Sequence, residues 1–236
     1  MSFSLLSAGR DWLPRRGPQI GLVAAFTTEH MSALDAKDIG NLSATQLNAL
    51  STTVVASLSS SQLQGVKAVQ LGGLSTTQLN ALTSSQLQSL TDTQLKGMTS
   101  TQVAGLNTTQ IQTLTTSQVQ GLTAAQLNGL SSTQVQALES ADLAAIKGNT
   151  LGALGTAQIQ SLSSTQVQNL NETQLKGLRA DQLNAMDAAD VTAMSTTQIS
   201  QLKPDQLSKL STGQLNALGT AQVQALTGAQ VRSLTS

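Results

Sequence analysis

From Phe26 to Leu234 one eight-residue unit repeats with no insertion and no deletion. It reads L-[ST]-x-x-Q-[LVI]-x-[AGS], as in the LSTTQLNA of Leu74–Ala81, and its first position recurs from Phe26 to Leu226, giving 26 octads. Self-similarity at a fixed short period restricts a chain to architectures in which each unit buries its apolar side against its neighbours. A single missing residue would put every later unit out of register, so the array is a mechanical object before it is anything else.

The unit carries two helix-start devices at once. Numbered 1 to 8, position 1 is aliphatic in every octad but the first, which has Phe26, and position 6 is aliphatic throughout. Position 2 is mostly Ser, Thr, Asn, Asp or Gly; Lys67, Glu139, Lys147, Arg179 and Lys203 depart from this. Position 5 is Gln in 20 of the 26 octads, the exceptions being His30, Asp38, Val54, Asp142, Thr150 and Asp190. A hydroxyl followed three residues later by Gln is a capping box, and the apolar pair flanking it is a hydrophobic staple. With position 2 as N-cap both occur in one octad. Pro204 stands at position 3, the first helical site, where proline is favoured.

A new helix start therefore arrives with every octad. Were the helix to run on, each octad would rotate the leucines by about 80° and no face could be buried. In a strand, positions 1 and 6 would face opposite sides, and Gln, Asn, Ala and Gly suit strands poorly. The fold class expected is all-α: a solenoid of very short helices, one per octad, joined by a bend at positions 8 to 2. Positions 1 and 6 point inward and position 8 stays small for close approach. A helix of a turn and a half is far below the ~12–15 residues of independent stability, so coils must hold one another. At position 6, from Leu143 to Val231, two Leu alternate with two β-branched residues. That superperiod predicts four octads per coil.

Composition narrows function by exclusion. Aromatics are 1% and charged residues 10%, with formal net charge zero. The linear sequence shows no basic stripe for phosphates and almost no aromatic for base stacking, which argues against nucleic acid. No apolar stretch approaches the ~20 residues of a membrane span, and with no Cys there is neither disulfide nor thiolate metal site. His30 is the only histidine, so no histidine-based triad or multi-histidine metal site can form within one chain. Asp142, Asp190 and the Asp187–Asp190 pair read as helix caps, and glutamine at position 5 as a local cap in preference to a ladder between coils. No catalytic, metal or cofactor-binding residue is assigned, and no enzyme activity is expected.

Residues 1–25 do not follow the octad and hold Trp12, Phe3, Pro14, Pro18 and the cluster Arg10, Arg15 and Arg16. They are expected to form an N-terminal cap or assembly segment, with residues 26–236 as the octad solenoid. The array breaks off at Leu234-Thr235-Ser236 with no distinct C-terminal cap.

The tract LTAAQLNGLSSTQVQALE at Leu122–Glu139 resembles the L-[ST]-x-x-Q-[VIL]-x-x-L tandem octapeptide tracts of bacterial surface and secreted proteins, often adhesin-like. The resemblance covers about 90% of the chain, from residue 26 onward. It implies bacterial origin and a structural role outside the cell or at its surface. Taken with the neutral surface, it leads to one expectation: a self-associating protein forming a rod, filament or surface layer, head to tail through residues 1–25 and the C-terminal coil. The alternatives are a monomeric binding module or spacer taking a surface protein or glycan, and a length-setting ruler of an export or tail apparatus.

Overall fold

The structure, a computed structural model, describes residues 20–234. The capping or assembly role expected of residues 1–19, including Trp12, lies outside the described residues. Among the described residues there is no strand, and 27 helices of four to six residues follow one another, numbered α1 to α27 in chain order. The first, α1 (Ile20–Val23), falls within residues 1–25 but lies in octad phase and packs on α4 (Ala44–Ala49). From α2 (Thr28–Ser32) to α27 (Gly228–Ser233) there is one helix per octad. The chain divides into two compact units, Met1–Met98 and Thr99–Ser236, and each is a solenoid of such helices.

Each helix begins at position 3 because position 2 is an extended N-cap. Ser43, at φ −72° and ψ 162°, accepts the Gln46 N–H on its hydroxyl at 3.2 Å. In return the Ser43 N–H donates to Gln46 Oε1 at 2.7 Å. Where position 2 lacks a capping oxygen the second half persists: the N–H of Arg179, Lys203 and Gly219 donates to Gln182, Gln206 and Gln222 at 2.8, 2.8 and 2.9 Å. The helix stops when the next octad's N-cap demands extended backbone; at that bend the Leu50 N–H still reaches the Leu47 carbonyl at 3.3 Å. Pro204 occupies the first turn of α24 (Pro204–Leu207), where its missing N–H costs nothing.

The interior is a column of aliphatic side chains. From Phe26 to Leu210 every residue at positions 1 and 6 is at most 8% exposed, except Leu34 and Leu74, which are partly exposed. Helices three apart pack together, as α7 (Ala68–Gly72) on α10 (Asp92–Lys96) in the first unit and α17 (Gly148–Gly152) on α20 (Glu172–Gly177) in the second.

The coil is smaller than the position 6 alternation predicts. Hydrogen bonds between coils join residues 25 to 31 apart, such as Asn48 to Gly73 and Gln62 to Met31. These separations centre on three and a half octads, where the alternation called for four. With two aliphatic side chains per octad pointing inward, a wider ring would enclose space that they cannot fill to interior density. Each helix start thus sits over a bend of the coil below, as in brickwork.

Close stacking explains the small residues at position 8. A Cβ at Gly97 would stand 2.5 Å from the Ala68 carbonyl oxygen, and one at Gly177 would stand 2.6 Å from that of Gly148. Backbone cannot yield as a flexible side chain can. Gly97→Val should therefore force two coils apart and destabilise the first unit by about 1–3 kcal/mol, read as a shift in urea midpoint. Gly213→Ala is the counterpart: the nearest atom to its Cβ would be Ser211 Oγ at 4.0 Å. Replacing a helical glycine in open space should stabilise by about 0.5–1 kcal/mol.

Candidate assembly site

One side chain type joins every level of the fold. Gln174 is 0% exposed and uses its whole amide. Oε1 accepts the Asn171 N–H at 3.0 Å, while Nε2 donates to the carbonyls of Leu143 and Ile146 at 2.8 and 2.7 Å in the preceding coil. In the first unit Gln94 accepts from Thr91 N–H at 2.9 Å and donates to Leu63 and Val66, both at 2.7 Å. In both cases the acceptors are the carbonyls of positions 6 and 1: the first already takes the N–H of the bend, as Leu143 does from Ile146 at 3.1 Å, and the second lies just past the helix end. One amide thus satisfies an orphan donor at its own helix start and two carbonyls at the bend below. Local capping and a ladder between coils, treated as rivals in the sequence, are two ends of the same group.

Departures from glutamine show what each half requires. His30 keeps the local half: its Nδ1 accepts the Thr27 N–H at 3.1 Å. Asp38 does likewise, accepting from Asp35 N–H at 3.1 Å. A carboxylate has no N–H to give to a carbonyl, so the two buried aspartates need different partners. Asp142 accepts from the Thr116 hydroxyl at 2.7 Å and Asp190 from the Ser164 hydroxyl at 2.9 Å, each 26 residues earlier. Both were expected to be simple caps; Asp190 does receive the Asp187 N–H, at a long 3.4 Å, but the shorter bond in each case crosses to the neighbouring coil.

Asparagine at position 7 supplies a second tie. Asn48 donates to the Gly73 carbonyl at 2.8 Å and accepts the Ser75 N–H at 2.8 Å. It thereby takes the donor that Gln78 would otherwise receive, leaving Gln78 Oε1 buried without a partner. Asn128 does the same to Gly155 and Ala153 in the second unit.

The ladder reaches its last described rung at Gln230, which donates to Leu202 at 2.8 Å. Val223, Val231 and Leu234 are 50%, 48% and 39% exposed, although residues at their positions from Phe26 to Leu210 are buried, Leu34 and Leu74 apart. In the first unit the exposed Ile20 borders an open groove of about 620 Å³ with Gln46, Lys67 and Val69. Among the described residues no group of three or more His, Asp and Glu could hold a metal ion, and no helix is long and apolar enough to cross a membrane.

Gln174→Ala should cost about 2–3 kcal/mol, since it strands the Asn171 N–H and the Ile146 carbonyl and takes from Leu143 its second donor. Gln174→Glu should be worse at neutral pH, its second oxygen facing the Leu143 and Ile146 carbonyls. Burial and those oxygens raise the folded pKa of the introduced acid, so its protonated form regains the donor and stability recovers as pH falls. Chemical denaturation at neutral and acidic pH reads both. Asn48→Ala should cost less than Gln78→Ala, because Gln78 Oε1 is placed to take the released Ser75 N–H; equal losses in thermal melts would contradict that exchange.

Comparison with family models matches residues 135–172 and 199–236 to the ALTTAQ repeat. Its six letters spell positions 8 through 5 of the octad, as in the ALGTAQ of residues 217–222. No curated protein matches the chain. The chain is a tandem repeat protein, similar over those two stretches to the ALTTAQ repeat.

Proposed function

We propose that this is a structural protein that self-associates end to end into a rod, filament or layer, outside the cell or at its surface. The observation that carries the reading is the last coil, whose Val223, Val231 and Leu234 present to solvent the positions that other coils bury. A face already shaped to stack on a coil is best covered by another coil, and a contact between unlike ends that does not close generates filaments. Low net charge adds little repulsion to oppose it.

The test is sedimentation velocity with negative-stain microscopy on the full chain, on a Val223→Lys/Val231→Lys double variant, and on the chain lacking residues 1–19. Filaments are expected for the full chain and single particles for the lysine variant. Loss of filaments on truncation would place residues 1–19 in the joint. A full chain that stays monomeric at high concentration would end the proposal and leave a spacer or binding module.

A further inference from the structure

Coiling gathers charges that the linear sequence scatters. Thr99–Ser236 contains six basic residues, Lys147, Lys176, Arg179, Lys203, Lys209 and Arg232. Lys147, Lys176, Lys203 and Arg232 follow one another at intervals close to one coil. Contacts confirm the stacking. Gly148 and Gly177 meet backbone to backbone, Gln206 donates to the carbonyls of Leu175 and Leu178, and the Ser233 hydroxyl donates to the Pro204 carbonyl at 2.9 Å. Four successive coils therefore place a cation at the same side, with Arg179 and Lys209 beside it. All six are exposed.

Acidic residues do not cancel the column. Glu172 pairs with Lys176, and Asp181 with Arg179 at 3.1 Å. The Arg179 hydrogen bond holds the Asp181 carboxyl below its ordinary value. Asp205 flanks Lys203; of the unit's other four acids, Asp142 and Asp190 are buried against their hydroxyl partners Thr116 and Ser164. Among the described residues of Met1–Met98 the same coiling stacks all three lysines, Lys37, Lys67 and Lys96, again about one coil apart.

We propose that the column in Thr99–Ser236 is a docking face for an acidic polysaccharide. Stacked helices space its cations by about 8–10 Å. That is wide for a nucleic-acid strand, whose phosphates recur about every 3.4 Å, and no aromatic is present in this unit to stack bases. It suits a polymer with one carboxylate per disaccharide. Lysine ammonium groups are point charges that accept a carboxylate in many orientations, and exposed Asn149 and Thr173 beside the column offer partners to sugar hydroxyls. A protein partner would want aromatic anchors at a hot spot, and this unit has no aromatic residue.

The experiment is fluorescence anisotropy with labelled hyaluronan, beside neutral dextran and double-stranded DNA, over a salt series. The variant is Lys147→Ala/Lys203→Ala/Lys209→Ala. The side chains of Lys147 and Lys203 make no cap hydrogen bond, so the melting temperature should hold and report intact folding. Hyaluronan should bind, dextran should not, and the variant should bind at least tenfold more weakly with a salt slope lower by about one per lysine. Equal binding by the variant, no binding at low salt, or tighter binding of DNA would each overturn the proposal. The readout stands whether or not copies associate end to end.

Discussion

A primary amide that accepts on one side and donates on the other holds this molecule together. Helices of four to six residues cannot persist alone, and their ends outnumber their middles, so most backbone polar groups are terminal ones. Glutamine at position 5 answers both kinds of end together: Gln174 closes its own first turn and the bend of Leu143–Ile146 below. The aliphatic positions supply the driving force for coiling, while the amide decides where one coil rests on the next. Glutamate cannot replace it because it lacks the donor, and the side chain of asparagine is shorter by one methylene.

Much of this was legible in the octad. Position 2 as N-cap, position 3 as helix start, and positions 1 and 6 as the core follow from local chemistry that acts within a single unit. The size of the coil was not legible, because it is set by how many aliphatic side chains fill a cross-section. The alternation from Leu143 to Val231 is not one of vertical neighbours. The cross-coil use of glutamine was hidden for a related reason: Leu143 and Ile146 are 31 and 28 residues from Gln174, and nothing local marks them as acceptors. Asp142 and Asp190 carried a readable hint, since a carboxylate in place of an amide demands a hydroxyl somewhere, but Thr116 and Ser164 could be picked out only once the coil length was known.

The same distance dependence accounts for the charged side. A basic residue once per coil looks like dilution along the chain and becomes a row once it is wound. Function in such a protein belongs to the winding as much as to the residues. Ladder and core occupy positions 1, 5 and 6, and the row of charges is written elsewhere in the octad: Lys147, Arg179 and Lys203 at position 2, Lys176 and Arg232 at position 7, and Lys209 at position 8.

Because a position 5 amide finds its position 1 carbonyl three and a half octads behind it, whichever octads those are, most units are interchangeable. A replication slip that adds or removes whole octads leaves the ladder and the core intact, so array length can drift through generations without a folding penalty. The exceptions act as addresses. Asp142 with Thr116, Asp190 with Ser164, and Gly177 against Gly148 each require one particular partner in the neighbouring coil. An octad gained between the members of such a pair would separate them. The three pairs together span Thr116 to Asp190 almost without a break, so within that stretch an octad cannot be added or lost without parting one of them.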